Sequence, residues 1–483
     1  MRNIAVLISV LLCQNFVLAQ EFIEVDTALP FPKVNSASLA YVDIDGDFDE
    51  DLVLLGWDIH NDIYTDLFIN DGGGNFVEDT SLSFEPVHNG SIATADIDGD
   101  DDQDILICGR NESFETRTSL YINQGNGSFS EDSSNTFEDI ANGEVSFCDV
   151  DGDSDQDVFV IGQNKSFEDI AKLYLNDGGG VFEELQGTSF IGVRWTAIAI
   201  GDVDNDTDPD IIISGRDASA GPNTQLYINA GNGTFSRVEN SNLVPVYDGS
   251  IALSDVDGDA DLDLLITGWA VEYITKLYLN DGMGAFSEAA EQDFPGVREG
   301  VGVFEDIDKD ADKDLFITGL NQALDSEVKF YLNDGSGKFT EVVTPVKSIY
   351  NGAVGFSDID GDDDSDLLVV GYNSEEFFIC KQYINESDVS TIFISKEESI
   401  WLNVYPNPAI AKEISIFVND ALNRNLNIKL YNLEMKLLVE ENFIGSNDNQ
   451  KFTLRSLHLN QGCYIVVISD NHGIYTQKMV MVL

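Results

Sequence analysis

Along most of the chain, apolar positions come in short runs separated by polar, glycine-rich breaks. Some runs are nearly unbroken, such as Ile105-Leu-Ile-Cys-Gly109 and Leu264-Leu-Ile-Thr-Gly268, while others mix apolar and polar residues, such as Lys276-Leu-Tyr-Leu-Asn280 and Ala285-Phe-Ser-Glu288. Runs this short, bounded by turn formers, predict strands, and the unbroken ones predict strands buried on both faces. A small-residue run such as Ser91-Ile-Ala-Thr-Ala95 precedes each unbroken one, and a glycine turn such as Asp281-Gly-Met-Gly284 separates the last two. Four short strands in hairpin succession predict one antiparallel sheet.

Between the small-residue strand and the unbroken one lies an acidic loop, first met as Asp43-Ile-Asp-Gly-Asp-Phe-Asp-Glu-Asp51. Its carboxylates stand at positions 1, 3, 5, 7 and 9: Asp43, Asp45, Asp47, Asp49 and Asp51. The register recurs as Asp96, Asp98, Asp100, Asp102 and Asp104, then as Asp149, Asp151, Asp153, Asp155 and Asp157. It returns as Asp202, Asp204, Asp206, Asp208 and Asp210, and as Asp255, Asp257, Asp259, Asp261 and Asp263. The last two copies are Asp306, Asp308, Asp310, Asp312 and Asp314, and Asp358, Asp360, Asp362, Asp364 and Asp366. Successive loops start 53, 53, 53, 53, 51 and 52 residues apart. A period near 50 marks a propeller or a solenoid. One small sheet cannot bury both its faces, so it stacks on its neighbours, and small first-strand residues suit the crowded inner rim of a ring. The seventh repeat runs from Gln382-Tyr-Ile-Asn385 into Glu386-Ser-Asp-Val389 with no glycine turn or fourth strand. Glu21-Phe-Ile-Glu24 looks like a displaced fourth strand, since it matches Asn75-Phe-Val-Glu78. Residues 20–26 are therefore expected to complete the last blade, leaving no open sheet edge. The fold class is all-β: a seven-bladed β-propeller over 20–385, followed by a small C-terminal β-sandwich.

Five anions in nine residues repel one another unless a cation sits among them. Hard oxygens at alternate positions, with a glycine to curl the chain, suit Ca²⁺; Mg²⁺ demands stricter octahedral geometry. Up to seven Ca²⁺ are expected. The loops hold a large share of the 87 acidic side chains, and the formal charge of −62 stays strongly negative even with seven ions bound. Such a surface repels nucleic acid and anionic membrane, so neither is an expected partner.

The repeated loop resembles the FG-GAP/VCBS-like repeat, whose fold is the integrin-alpha type of calcium-binding β-propeller. The resemblance implies that positions 1, 3, 5 and 9 ligate through side chains and position 7 through its carbonyl, so Asp43, Asp45, Asp47 and Asp51 with the Asp49 carbonyl in the first loop, and likewise in each repeat. The family often has glycine at position 6. Here Phe48, Asp101, Ser154, Thr207, Ala260, Ala311 and Asp363 stand there. Left-handed backbone is costly for such residues, so the turn is expected to depart in detail. Loop six, with Lys309 and Lys313, is the least acidic and is expected to bind most weakly.

Residues 1–19 read as a signal peptide: Arg2, an apolar core from Ile4 to Leu12, and Val17-Leu-Ala19 at the cleavage site. A lipoprotein reading at Cys13 is disfavoured by the bulky Leu12 before it. No later run is long and apolar enough to span a bilayer, so no membrane insertion is expected. Cys108, Cys148, Cys380 and Cys463 lie scattered in apolar strands, which predicts buried free thiols rather than a disulfide framework. Residues 386–400 read as a linker. From Trp401 the aspartate period stops and short strands alternate with polar turns to residue 483. Tyr405-Pro-Asn-Pro408, Gly462-Cys-Tyr464 and Lys478-Met-Val480 make this segment resemble the C-terminal sorting domain of type IX (Por) secretion, although Glu434-Met435 replaces the usual glycine of its middle hairpin. The resemblance implies the type IX machinery as a partner and passage through the outer membrane of a Gram-negative bacterium. Release or surface attachment then follows, usually with this domain cleaved.

Two sets of positions lie away from the acidic loops. Just after the second-strand glycine come Trp57, Arg110, Gln163, Arg216, Trp269, Leu320 and Tyr372; eight residues before each acidic loop come Asn35, His88, Ala141, Arg194, Tyr247, Arg298 and Tyr350, with Trp195 after Arg194. Aromatic rings stack on sugars and arginine grips carboxylate or sulfate, so this face is the candidate ligand site. The bland alternative is that the aromatics pack between blades and the arginines pair with neighbouring aspartates. No nucleophile elbow, zinc-helix motif or phosphate loop occurs. Three functions follow: a monomeric binding or adhesion module for a glycan or cell-surface protein; a polysaccharide lyase with Tyr247, Tyr350 or His88 as base and Arg194 or Arg298 neutralising a uronate; or a structural subunit of a surface assembly.

Overall fold

A computed structural model describes residues 22–385, apart from 26, 27, 83, 126, 188, 290 and 291, together with strands at 17–18 and between 392 and 482. The rest of the leader, most of the 386–400 linker, Pro406–Pro408 and Glu434–Met435 lie outside the described residues. The chain divides into two compact units, 22–340 with 345–385, and 386–483 with two short segments. Among the described residues every regular element is a strand.

The larger unit holds seven four-stranded antiparallel sheets. Blade 1 runs Asn35–Val42, Asp51–Trp57, Ile63–Asn70 and Phe76–Glu78 in spatial order. Blades 2 to 6 repeat this over 92–131, 140–184, 193–237, 251–288 and 298–342. Blade 7 consists of Tyr350–Ser357, Asp366–Asn373 and Phe377–Asn385, with Phe22–Glu24 as its fourth strand. Phe22 faces Asn385 and Glu24 faces Tyr383, and Lys381 bonds to Glu24 across the junction. The displaced strand is therefore where the sequence placed it.

The unbroken second strands lie wholly inside. Leu52, Leu54, Leu368 and Val370 share one cluster with Phe31 and Phe68, so the core of blade 1 is continuous with that of blade 7. The segment linking one blade to the next docks through an aromatic residue. Phe84 meets Tyr121 edge-on with ring centroids 4.8 Å apart, and Phe137–Tyr174, Phe190–Tyr227 and Phe294–Tyr331 repeat the contact. Each such pair is worth about 0.5–1.5 kcal/mol beyond the area it buries. Cys108, Cys148 and Cys380 are free and buried, as expected; the Cys463 side chain lies outside the described residues.

The smaller unit contains two sheets. One has the strand order 17–18, 392–393, 473–482, 462–470, 425–432 and 437–444; the other pairs 402–405, 413–418 and 450–455. The smaller unit is thus all-β, as expected.

Candidate metal centres and the opposite face

Each acidic loop joins the first and second strands of its blade. Position 1 organises it: Asp43 Oδ1 accepts the N–H groups of Gly46 (2.9 Å) and Asp47 (3.2 Å), and Oδ2 accepts that of Phe48 (3.0 Å). Position 9 anchors it from below. Asp51, Asp104, Asp157, Asp210, Asp263, Asp314 and Asp366 are all buried. Asp51 Oδ2 accepts Ile44 N–H at 3.0 Å and Oδ1 accepts Asn70 N–H at 2.8 Å, and the other six loops repeat the pair. Burial pushes the position-9 carboxyls up to about 6 or 7 against these bonds. Desolvation, and then the neighbouring aspartates, also raise position 3 in every loop.

The donor set fits a cation. In the first loop Asp43, Asp45 and Asp51 each bring an oxygen within 4.8 Å of the others, and the further loops form similar clusters. The position-3 Oδ1 atoms of Asp98, Asp151, Asp204, Asp257, Asp308 and Asp360 are buried and accept no hydrogen bond. An anionic oxygen in that state costs free energy that a hard divalent ion relieves. Position 7 turns its carboxylate elsewhere: a Cβ on Gly72 would lie 2.2 Å from Asp49 Oδ2, and five more blades repeat this approach. The glycine turn between the third and fourth strands must therefore be bare. Blade 7 has no such turn, and Lys309 from loop six stands 3.7 Å from Asp364 instead.

Position 6 corrects the sequence reading. Phe48, Asp101, Ser154, Thr207, Ala260, Ala311 and Asp363 all take φ between 66° and 79°, so the left-handed turn is made without glycine. The position-6 N–H donates to the second oxygen of position 1 at 2.9–3.1 Å in every loop, and that bond holds the strained residue. The cost is about 1–2 kcal/mol each.

A further residue ties the blades to one another. The asparagine ending each third strand bridges blades: Asn123 Nδ2 donates to Gln103 O in its own loop and to Ile44 O in the preceding blade at 2.9 Å. Asn176, Asn229, Asn280, Asn333 and Asn385 do likewise, and Asn70 reaches Ile359 O at 3.0 Å, joining blade 1 to blade 7. Its signal was present: an asparagine 17 to 19 residues beyond each position 9.

On the opposite face, the two sets of aligned positions prove to be cross-strand partners. Asn35 pairs with Trp57, His88 with Arg110, Ala141 with Gln163, Arg194 with Arg216, Tyr247 with Trp269, Arg298 with Leu320, and Tyr350 with Tyr372. The strongest gathering spans blades 4 and 5. Tyr247 stacks on Trp195 (6.0 Å, 29°) and touches Trp269 (5.0 Å), while Arg216 lies 5.3 Å from the Trp195 ring and 5.7 Å from Tyr247. Elsewhere Trp57 meets His88 at 5.9 Å and Tyr350 meets Tyr372 at 5.0 Å. Burial holds His88 below the usual imidazole range. The arginines are largely engaged: Arg194 with the buried Asp169 (2.7 Å), Arg298 with Glu299 (3.2 Å), and Arg110 with Gln163 (3.3 Å).

Next to these pairs the first strand bulges in blades 1, 3, 4, 6 and 7, and in blades 2 and 5 the same left-handed residue stands just before the strand. Ser36, Asn89, Asn142, Trp195, Asp248, Glu299 and Asn351 stand seven residues before their loops, all with φ between 45° and 62°. The following residue is usually glycine, because a Cβ on Gly90 would lie 1.8 Å from Cys108 O. These residues ring a cavity of about 450 Å³.

The matches to known families fall separately in the two units of the chain. Residues 149–213 and 306–369 match the FG-GAP-like repeat, and 403–482 match the secretion system C-terminal sorting domain. No curated protein matches the chain. Among solved structures it is similar to an exo-β-1,3-galactanase from Phanerochaete chrysosporium with β-1,3-galactotriose (10% identity, 97% of this chain and 100% of the other, TM-score 0.33). It is also similar to AofleA from Arthrobotrys oligospora (11% identity, 67% and 90%, TM-score 0.37). Both scores are low, and neither carries information on ligand or activity.

Proposed function

We propose that this chain, which carries FG-GAP-like repeats and a secretion-system sorting domain, is a calcium-loaded binding module that recognises a glycan or surface partner with the face opposite its acidic loops. The sorting domain directs export across the outer membrane, to the cell surface or the medium, and implies contact with the type IX machinery. In this reading each acidic loop holds one Ca²⁺ through positions 1, 3, 5 and 9 and the position-7 carbonyl, up to seven in all, and the ions serve the fold.

The observation that carries the recognition surface is the Trp195–Tyr247–Trp269 wall with Arg216 against it. Three neighbouring aromatic rings, of which Trp195 lines the cavity, supply apolar faces for sugar C–H groups, with a guanidinium to bond hydroxyls. Exposed Ile59, Phe114, Phe167, Val271, Leu324 and Phe377 at the second-to-third-strand turns widen the apolar surface of that face. The lyase reading gains no support, since the arginines it requires, Arg194 and Arg298, are already bound to Asp169 and Glu299. A glycan array on the calcium-loaded full chain tests the proposal. Binding that falls about tenfold or more in Trp269→Ala, with the melting temperature kept, is the expected result. A calcium-loaded chain that binds no glycan, or binds equally after that change, overturns this placement.

A further inference from the structure

We infer that the axial cavity is a pocket for a free amino group carried on a polyhydroxylated ring, that is, for an amino sugar. This rests on the reading of that face as a recognition surface and narrows its ligand class. The cavity is lined by one left-handed residue from each blade, and the seven differ in chemistry by side. Blades 5 and 6 present Asp248 and Glu299; blades 7, 1, 2 and 3 present Asn351, Ser36, Asn89 and Asn142; blade 4 presents Trp195. Carboxylates only accept, whereas amides and a hydroxyl both donate and accept. Glu299 already holds Arg298, and Ser36 bonds Asn351 and Trp57, so Asp248 is the carboxylate that calls for a cationic donor, and Asn89 and Asn142 are the amides that call for hydroxyls.

The backbone leaves that recognition to side chains. Asn142 N–H donates to Asn89 O (2.7 Å), Asp248 N–H to Trp195 O (3.1 Å) and Glu299 N–H to Asp248 O (2.6 Å), so these groups are spent on joining blades. Arg298 bonds to Glu299 rather than to Asp248. Trp195 keeps 38% of its surface exposed and is backed by Tyr247, which makes it an apolar wall. Trp195 and Glu299 hold φ of 49° and 46°, conformations unfavourable for such side chains. A lysine side chain would satisfy Asp248, but its apolar stem leaves the amides across the cavity unmatched; a sugar ring meets both.

The test measures binding of glucosamine oligomers and N-acetylglucosamine oligomers to the calcium-loaded full chain, by calorimetry at about 0.15 M ionic strength to screen its general negative charge. Asp248→Asn is isosteric, and asparagine tolerates the left-handed backbone. Expected is binding of the free-amine oligomer that weakens about tenfold or more in Asp248→Asn, with the N-acetylated oligomer binding weakly to both proteins. Equal binding of the free-amine oligomer to both proteins overturns the inference and assigns the attraction to bulk charge. Tighter binding of a lysine-rich peptide, lost in Asp248→Asn, also overturns it in favour of a protein partner. Binding of other glycans that depends on Trp269 but not on Asp248 overturns this inference while leaving the proposed function standing; no glycan binding at all removes both.

Discussion

The two faces of the propeller share one backbone period and use it in opposite ways. On one face the same aspartates return seven times in the same register, down to the buried position-9 carboxyls and the asparagines that hold them. On the other, seven left-handed residues return just as regularly, yet they are Ser36, Asn89, Asn142, Trp195, Asp248, Glu299 and Asn351. Uniform side chains on a repeated backbone do the same structural task at every copy. Varied side chains on a repeated backbone give one ring with unlike sectors, which is what a ligand needs in order to be oriented.

That contrast breaks most visibly if the uniform face does not hold the fold together. Chelating divalent ions is expected to lower the melting temperature by tens of degrees, since each site at a hundredfold excess of ion over its dissociation constant contributes about 2.7 kcal/mol. Calorimetry with and without chelator checks this, and an unchanged melt would refute the metal assignment. Next in size is Asn70→Ala, which removes the bridge to Ile359 O and leaves buried carbonyls short of a donor. A loss of about 2–3 kcal/mol in denaturant unfolding is expected, with calcium binding to the other loops retained.

Glu144 offers a test on the inner strand of blade 3, one residue beyond the cavity-lining Gly143. Burial pushes its carboxyl from 4.5 up to about 7, although its Oε2 accepts Ile198 N–H at 3.1 Å in the next blade. A raised carboxyl means that the folded chain holds its proton more tightly than the unfolded one. Its contribution is therefore greatest below pH 4.5 and is lost as pH rises to about 7. Glu144→Gln is expected to flatten the stability profile across that window. The smallest effect is expected of Phe48→Gly, which relieves a left-handed, exposed phenylalanine at a loop tip and adds up to about 1 kcal/mol.

The uniform face was the legible one. A motif with five acids in nine residues announces its loop, its period counts the blades, and the missing seventh hairpin points to Phe22–Glu24. Position 6 was misread because side-chain preference alone disfavours φ near 70° for Phe48 or Thr207, whereas the carboxylate of position 1 captures their N–H groups. The asparagine bridges were overlooked because one polar residue closing a strand looks like an ordinary turn former. On the varied face, the cross-strand pairs were found as two separate alignments, since pairing depends on a register that a bulge shifts. The ring from Ser36 to Asn351 was missed, apart from Trp195, because its members share a dihedral angle and not a residue type.

The partnership of Phe22–Glu24 with Phe377–Asn385 has a consequence for biogenesis. The earliest-made strand of the propeller lies beside the latest-made one, so no partial chain can seal the circle. A growing chain must stay unlocked until its final blade has been made, and only then can its two ends clasp. A copy truncated anywhere in between would present raw sheet margins at both ends, ready to pair with whatever strand comes near.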